Sequence, residues 1–252
     1  MLVLLPPSEG KAAPVRGRPV DLAKLSLPAL HAAREQVLDA LLDLSVRDEA
    51  AACAALGISP AQLSANRRLR QAPAVPAQQL YTGVLYEALD IGSLGPDAVR
   101  MLRRSVLIFS GLWGVVRLAD RIPPYRCSMT ARLPRIGALG GYWRRALDAP
   151  LAELAGRGLV LDLRSSAYAA AWTPASRCVS IRVLHERTVN AVVTRSVVSH
   201  FNKATKGRLV RDLAMAGAAS RKAAELVTVL RDLKYTVDEP RPGQLDVIVA
   251  DL

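Results

Sequence analysis

The chain has 252 residues, 51% of them hydrophobic, and its 34 basic and 22 acidic residues give a net charge of +12. This length accommodates one large domain with a full hydrophobic core, or two small domains. No apolar run approaches the ~20 residues that a helix needs to cross a bilayer, so the composition excludes a helical membrane protein and predicts no membrane partner.

The N-terminus, the cysteines and the histidines indicate the compartment and the metal chemistry. The opening MLVLLPPSEGK lacks the positive leader and the cleavage site of a signal peptide, which favours a cytoplasmic protein. The three cysteines and three histidines are scattered, without a CxxC motif or a Cys/His cluster. The sequence therefore predicts reduced thiols, no metal site and no cofactor.

The positive charge is concentrated in two blocks. Residues 100–145 contain ten arginines and one acid, and residues 195–234 contain nine basic and three acidic residues. Residues 1–99, in contrast, contain nine basic and ten acidic residues. Such blocks are typical of a surface that binds a polyanion. The alternative is that the arginines spread over the surface and pair with acids elsewhere in the fold.

Helical periodicity dominates the segment after the first loop. Apolar positions predict a helix over 28–44, with Arg34 among the polar residues that lie mostly off its apolar stripe. A second helix is expected over 45–56, with Ser45 as its N-cap and acidic residues in its first turn.

The loop after the second helix outlines a known DNA-binding element. Gly57 ends the second helix, and Ser59-Pro60 predicts the start of a third helix that runs to about residue 69. The helical subregion 28–70 thus contains a helix–hairpin–helix-like element, a type that binds DNA phosphates through backbone N–H groups. A helical pair that only packs on the core is the alternative interpretation.

Three apolar runs predict buried strands, at 1–5, 106–109 and 159–163. Each run is followed by a loop of polar residues or glycines, at 6–11, 110–126 and 162–168. If the strands are neighbours, these loops form one cleft, in the place where α/β proteins commonly bind ligands. The side chains expected around this cleft are Ser8, Glu9, Lys11, Arg117, Tyr125, Arg126, Arg164, Ser165 and Tyr168.

Glycines mark two further turns. Gly111 and Gly114 predict a sharp turn or a close approach of the backbone to a ligand, and a tight turn with ordinary packing is the alternative. Gly137 to Gly141 is expected to be a flexible turn before a helix that carries Trp143 beside arginines. Trp143 is either a platform on which bases stack or a core residue.

The C-terminal part mixes both kinds of element. Its predicted elements are strands over 178–184 and 188–194, a basic amphipathic helix to about Met215, a helix from its cap Ser220 to Leu233, and two short strands around 240–243. The whole chain lacks a regular βαβ alternation. It therefore predicts an α/β (mixed α+β) fold, a single compact domain over 1–252 with a mostly buried mixed sheet and surrounding helices.

At these same residues the chain resembles the YaaA-type peroxide stress protein family. The matching segments occur in the family's order over nearly the whole chain. They are MLVLLPPSEGK, Tyr81-Thr82-Gly83, Ser110 to Val115 with Arg117, Pro124-Tyr125-Arg126 with Met129, Tyr142-Trp143, Asp162 to Tyr168, and Ser199 to Arg211. The chain departs from the family's pattern over 44–70 and in a shorter hairpin near 185–190.

The resemblance implies a cytoplasmic bacterial protein with a positively charged cleft and a helix–hairpin–helix-like element. It implies binding of double-stranded DNA and protection against peroxide damage, linked to lower free iron, without a settled enzymatic activity. The matching segments complete the expected ligand- or DNA-binding residues with Gly111, Gly114, Ser166, His200, Lys203, Lys206 and Arg211.

Two functional hypotheses follow. The first is sequence-independent DNA binding, in which arginines contact phosphates. The second is an enzyme that acts on a nucleotide, a nucleobase or another anionic small molecule, since DNA backbone binding does not require a carboxylate, an amine and a phenol in one place. Its catalytic candidates are Glu9, Lys11, Ser165 and Tyr168. Direct sequestration of iron ranks last, because the sequence shows no cluster of carboxylates or histidines. The oligomeric state is left open.

Overall fold

The structure is a computed structural model, which describes residues 1–175, 177–189 and 192–250. Its strands are Leu2–Leu5 (β1), Val75–Pro76 (β2), Val106–Ser110 (β3), Gly114–Val116 (β4), Arg121–Ile122 (β5), Arg132–Leu133 (β6), Gly137–Ala138 (β7), Val160–Asp162 (β8), Cys178–Val189 (β9), Val192–Ser196 (β10), Thr236–Arg241 (β11) and Gln244–Ala250 (β12).

The α-helices are His31–Arg47 (α1), Glu49–Leu56 (α2), Pro60–Arg67 (α3), Ala77–Leu80 (α4), Val84–Leu89 (α5), Pro96–Ser105 (α6), Leu139–Ala155 (α7), Ser166–Ala169 (α8), Ser199–Met215 (α9) and Ala223–Asp232 (α10). Short 3₁₀ helices cover Leu22–Lys24, Pro28–Leu30 and Ile91–Ser93. Within the described residues, no helix is both long enough and apolar enough to cross a membrane.

The main sheet has the strand order β11-β12-β9-β8-β1-β3-β4, and β10 pairs with β9. The strands from β12 to β3 in this order are parallel to one another. In contrast, β11, β4 and β10 are antiparallel to their neighbours. The prediction of a mixed α/β fold built around one mixed sheet is therefore confirmed.

β1 lies in the middle of the sheet, between β3 and β8, and is parallel to both. The chain passes from β1 to β3 on one side and later returns to β8 on the other side. In α/β sheets, a crevice opens outside the carboxyl ends of the strands at such a reversal. The three strands that carry the predicted cleft loops are thus neighbours, as the hypothesis of one cleft requires.

The central strands are covered on both faces. Leu4 and Leu5 are fully buried, and so is every residue from Val106 to Phe109, as expected for parallel strands between helical layers. Trp143 on α7 is also fully buried, and its indole N–H donates to the Gly111 carbonyl at 2.8 Å. Of the two interpretations of Trp143, the core position is correct.

The boundary predicted at Ser45 is wrong. Ser45 lies inside α1, where it is fully buried and its hydroxyl donates to the Leu41 carbonyl at 2.6 Å. The N-cap of α2 is Asp48, whose carboxylate accepts the Ala51 N–H at 2.9 Å. Ser45 satisfies its hydroxyl within the helix, so α1 continues past it to Arg47.

Arg34 does not lie off the apolar stripe of α1, contrary to the prediction. Its side chain is fully buried, and its guanidinium donates to the carbonyls of Ser26, Leu27, Trp113 and Val115. Burial lowers the pKa of Arg34 to about 10. Arginine suits this position because its five N–H donors can satisfy several converging carbonyls of irregular backbone.

Two boundaries in the second half also differ from the sequence prediction. α10 begins at Ala223, and Ser220 does not cap it because Ser220 is buried. The Glu225 carboxylate instead accepts the N–H of Arg221, two residues before the helix. α7 begins at Leu139, so Gly140 and Gly141 are helical and the predicted flexible turn is shorter. The buried Leu139 anchors this first turn, and its N–H donates to the Ala131 carbonyl.

Candidate functional site

Residues from three loops meet beyond the carboxyl ends of β8, β1 and β3. Loop 6–11 follows β1, segment 164–168 follows β8, and segment 125–129 is linked to loop 6–11 because the Arg126 guanidinium donates to the Glu9 carbonyl. Lys11 also forms a β-bridge with Tyr81. We call residues 6–11, 125–129 and 164–168, together with Tyr81, the carboxyl-edge site.

Loop 6–11 is held by hydrogen bonds to four of its carbonyl groups. The Tyr86 hydroxyl donates to the Pro6 carbonyl, and the Lys11 amine donates to the Ser8 carbonyl. The Arg126 guanidinium donates to the Glu9 carbonyl, and the Thr82 N–H donates to the Gly10 carbonyl. A Cβ on Gly10 would lie 2.8 Å from the Thr82 hydroxyl oxygen, so a larger residue there would displace the Thr82 side chain. The loop is therefore fixed before any ligand arrives.

Lys11 is a cation without a carboxylate partner. Its amine lies 4.4 Å from the centroid of the Tyr125 ring and donates to the Ser8 carbonyl at 2.7 Å. Among the described residues it forms no ion pair. Burial, followed by the positive charge of Arg126, lowers the pKa of Lys11 to about 7. The Glu9 carboxylate opposes this shift only weakly, so the site favours an anionic or electrophilic ligand.

A chain of buried hydroxyl groups fixes the ring beneath Lys11. The Tyr125 hydroxyl lies 2.8 Å from that of Tyr81 and 2.7 Å from that of Ser110, which accepts the Trp113 N–H at 3.0 Å. Burial raises the pKa of both tyrosines, so they stay protonated at neutral pH. Tyr125, expected to contact ligand, thus orients Lys11 through its ring while its hydroxyl is used inside the protein.

Arg126 is positioned by a residue that sequence reasoning missed. The side-chain amide of Asn66, fully buried on α3, donates to the Arg126 carbonyl and accepts the Arg126 N–H, both at 2.8 Å. The helix pair α2–α3 therefore supports the carboxyl-edge site through the contact of Asn66 with the Arg126 backbone. A single asparagine in a helix that shows no other polar pattern carries no sequence signal for this contact.

The remaining polar groups of the site differ in exposure. Glu9, Ser165 and Ser166 are exposed, whereas Tyr168 is half-buried, with its hydroxyl close to the Met129 backbone and the Ser128 side chain. Burial raises the pKa of Tyr168 to about 12, and the Glu9 carboxylate adds to this effect. Tyr168 therefore stays protonated at neutral pH, and its hydroxyl can donate a hydrogen bond.

Arg164 is committed to the fold. Its guanidinium makes a two-pronged ion pair with Asp162, with N–O distances of 2.8 and 2.6 Å, and also donates to the carbonyls of Tyr168 and Trp172. It lies 4.1 Å from the centroid of the Phe109 ring, and its side chain is 1% exposed. It shapes segment 164–168 and has no free face for a ligand.

Arg117 lies at the opposite edge of the sheet, which corrects its predicted place in the cleft. β4 runs antiparallel to β3 and carries the chain back toward the amino end of β3. There the Arg117 guanidinium donates to the carbonyls of Arg103 and Arg104 at the end of α6. The sequence pattern does not show that the chain reverses between β3 and β4, and it therefore predicts that the whole 110–126 loop lies at one edge of the sheet.

Gly111 and Gly114 are both needed for close packing rather than for an open turn. A Cβ on Gly111 would lie 2.5 Å from the Cys127 carbonyl oxygen, and one on Gly114, whose φ is +68°, would lie 2.6 Å from the Trp143 ring. Gly111 thus lets segment 125–129 lie directly against the end of β3. Burial raises the pKa of Cys127 to about 12, which disfavours its thiolate.

α9 approaches the site with one of its basic residues. The Lys206 amine donates to the Leu163 carbonyl at the end of β8, at 3.1 Å, and burial lowers its pKa. The Arg211 guanidinium instead donates to the carbonyls of Leu89 and Asp90. Lys203 is exposed. The side chain of His200 lies outside the described residues.

The arginine block over 100–145 is largely used within the protein. Seven of its ten arginines have a partner within the protein. Three of them contact side chains: Arg100 contacts Asp97, Arg103 contacts Gln78, and Arg135 contacts Asp43. The other four donate to backbone carbonyls: Arg117 to Arg103 and Arg104, Arg121 to Ala74, Arg126 to Glu9, and Arg144 to Ala170. These partners belong to many different segments. The block therefore divides between structural contacts and the surface, in line with the alternative that arginines spread over the fold.

The hairpin between α2 and α3 forms as its capping residues predict. Gly57 is left-handed (φ 63°) and Ser59 makes a capping box with Gln62. The N–H groups of Gly57 and Ile58 donate to the Cys53 carbonyl, and that of Ser59 donates to the Gln62 side chain. The hairpin's N–H groups are thus already bonded within the protein.

Other features lie away from this site or do not form one. A cavity of about 330 Å³ lies at the amino-end edge of the sheet, lined by Met1, Asp97, Arg100, Met101, Arg104, Ser105, Ala218 and Ala219. In the part of the chain that the structure describes, no three histidine, cysteine or carboxylate side chains are grouped so that they could hold a metal ion.

Comparison with known proteins places the chain in a family. The family model described as peroxide stress protein YaaA matches residues 1–241. A UPF0246 protein of Streptomyces coelicolor is 54% identical, and the match covers all of both chains. A UPF0246 protein of Corynebacterium efficiens is 39% identical over 99% of this chain and all of its own length, and one of Cereibacter sphaeroides is 31% identical over 85% and 86%. The chain therefore belongs to the YaaA peroxide stress protein family.

Proposed function

We propose that this peroxide stress protein acts in the cytoplasm by binding DNA phosphates at the carboxyl-edge site, without sequence specificity, and thereby limits iron-dependent damage to the DNA. The observation that carries this proposal is the Lys11 amine, which is buried beside Arg126 and forms no ion pair with a carboxylate among the described residues. A phosphate oxygen would supply the missing counter-charge.

The proposal assigns the contact to few cations. Arg164 is paired with Asp162, Arg117 lies at the opposite edge of the sheet, and Arg211 donates to the carbonyls of Leu89 and Asp90. Lys11 and Arg126 are therefore the central pair, and Lys203 on α9 is a further exposed cation. Two neutralised phosphates predict that log affinity falls by about 1.8 for each unit of log salt concentration. The hairpin α2–α3 supports this contact through Asn66 and is not itself assigned the phosphate.

The test is a salt titration of binding to a short DNA duplex, with a mononucleotide as competitor. Lys11→Met should weaken duplex binding about tenfold and reduce the salt slope by about 0.9. The matched control is Arg157→Gln, which removes an exposed cation just before the amino end of β8 and should change neither quantity. Binding that is independent of salt, or equal losses in both variants, would refute the proposed contact.

A second candidate function is an enzyme that acts on a nucleotide, a nucleobase or another anionic small molecule in the same site. It is favoured by the juxtaposition of an amine with a pKa of about 7, a protonated phenol and a carboxylate, contributed by Lys11, Tyr168 and Glu9. Strong competition by the mononucleotide, with weak duplex binding, would favour this function. Full protection of peroxide-treated cells by a Glu9→Gln variant would count against it.

A further inference from the structure

The Lys11 amine has the surroundings of a nucleophile as well as those of a simple cation. It is half-buried on a loop in which four carbonyls accept hydrogen bonds, faces the Tyr125 ring at 4.4 Å, and is fixed by one hydrogen bond to the Ser8 carbonyl. Desolvation and a neighbouring cation are the two devices by which proteins keep a lysine amine neutral and reactive toward carbonyl compounds. Both are present here, the cation being Arg126.

The neighbours of Lys11 complete the requirements of that chemistry. Tyr168 stays protonated at neutral pH and its hydroxyl lies close to the Ser128 side chain, and the Glu9 carboxylate acts electrostatically on both Lys11 and Tyr168. Formation of an imine needs an acid that protonates the departing hydroxyl group. The guanidinium of Arg126 can hold an anionic group on the same molecule, because it is a rigid fork suited to phosphate.

We propose that Lys11 Nζ forms a Schiff base with the aldehyde of a deoxyribose phosphate, the group left in DNA when a base is lost. The inference rests on the proposed function, since it uses the same site and assigns the flanking phosphate to Arg126. Loss of bases is a product of radical attack on DNA, so this substrate agrees with the family's role in peroxide stress.

The step balances without a further reactant. The neutral amine attacks the aldehyde carbon, a C–N bond forms, and the carbonyl oxygen becomes a hydroxyl group with the proton lost by nitrogen. Tyr168 donates a proton to this hydroxyl, which leaves as water and gives the protonated imine. Glu9 can then remove a proton from the adjacent carbon, and the C–O bond to the 3′-phosphate breaks with the phosphate as the leaving anion. Water hydrolyses the imine and releases Lys11.

The experiment is borohydride trapping with the full-length protein. The protein is incubated with a duplex that contains one abasic site, or with free deoxyribose 5-phosphate, and sodium borohydride reduces any imine to a stable amine. Peptide mapping should place the adduct on Lys11. Lys11→Met should lower trapping at least about a hundredfold, whereas Lys24→Met, which removes an exposed lysine, should leave it unchanged. Lys11→Arg controls for folding and charge, and it should also fail to trap.

A duplex that carries tetrahydrofuran in place of the abasic sugar separates binding from chemistry, because it has no aldehyde. Salt-dependent binding of this duplex, without any adduct on the abasic duplex, would overturn the Schiff base and leave the proposed function standing. An adduct on another lysine, or one that persists in Lys11→Met, would also overturn it. An adduct with free deoxyribose 5-phosphate alone would support the chemistry and overturn the assignment to DNA.

Discussion

The amine of Lys11 lies over the ring of Tyr125, 4.4 Å from its centroid, although Lys11 follows β1 and Tyr125 follows β5, which belongs to a different sheet. The ring cannot neutralise the cation as a carboxylate would, and it removes water from one side of it. Tyr125 is itself held by two buried hydroxyl groups, those of Tyr81 and Ser110. The Lys11 amine is therefore partly desolvated at the carboxyl edge of the sheet.

Lys11 should make the stability of the protein depend on pH. Its pKa is about 7 in the folded protein and near 10.5 in the unfolded chain, so between these values the unfolded chain binds more protons. The free energy of unfolding should therefore rise with pH from 7, by at most about 1.4 kcal/mol per pH unit. Urea unfolding between pH 7 and about 8.5 measures this slope, before the buried thiol of Cys127 adds an opposing term above pH 9.0.

Lys11→Met is the control for this pH dependence. Methionine keeps the length of the stem and removes the titrating amine, so the variant should show a smaller rise of stability between pH 7 and about 8.5 and should be more stable than the wild type at pH 7. The same slope in both proteins would show that another group titrates.

Asp162→Asn should destabilise the protein strongly. The variant leaves the Arg164 guanidinium, which is 1% exposed, without its counter-charge. Loss of one partner of a buried pair costs about 3 to 5 kcal/mol. Urea unfolding should show this loss, whereas Arg47→Gln, which breaks an exposed pair with Asp43, should cost about 0.5 kcal/mol or less. Similar costs for the two variants would mean that the buried pair is not needed.

Gly111→Ala should disturb segment 125–129. The added Cβ would lie 2.5 Å from the Cys127 carbonyl oxygen, which is backbone and cannot rotate away. Overpacking of this kind costs about 1 to 3 kcal/mol, and the displacement of Arg126 should also weaken duplex binding. The matched variant is Gly92→Ala, where a Cβ meets no atom within 4 Å, and it should stay within about 0.5 kcal/mol of the wild type. Unchanged stability in both would contradict the close approach.

Ser59→Ala tests the hairpin. The variant removes the N-cap of α3 and should cost about 1 kcal/mol of stability. Duplex affinity should be unchanged, because the N–H groups of Gly57, Ile58 and Ser59 are bonded within the protein. A gel-shift titration at one salt concentration measures the affinity. A loss comparable to that of Lys11→Met would show that the hairpin contacts DNA directly.

Local features were predictable from the sequence where one residue determines one local bond. The capping pair Ser59-Pro60, the left-handed Gly57 and the buried strands of the sheet all form as their patterns indicate. The cap predicted at Ser45 is wrong because its hydroxyl bonds to the Leu41 carbonyl inside the helix. The cap predicted at Ser220 is wrong because Ser220 is buried and the Glu225 carboxylate accepts the nearby Arg221 N–H instead.

The sequence by itself determined that polar loops follow three buried strands, and this was enough to propose a site that contains Lys11 and Arg126. The tertiary structure alone decided which cations that site keeps. Arg117 was carried to the opposite edge by the reversal after β3, and Arg164 was neutralised by Asp162. The charge of a side chain follows from the sequence, but its burial and its partner depend on residues that are distant in sequence. The contact of Asn66 with Arg126, 60 residues apart, is an example.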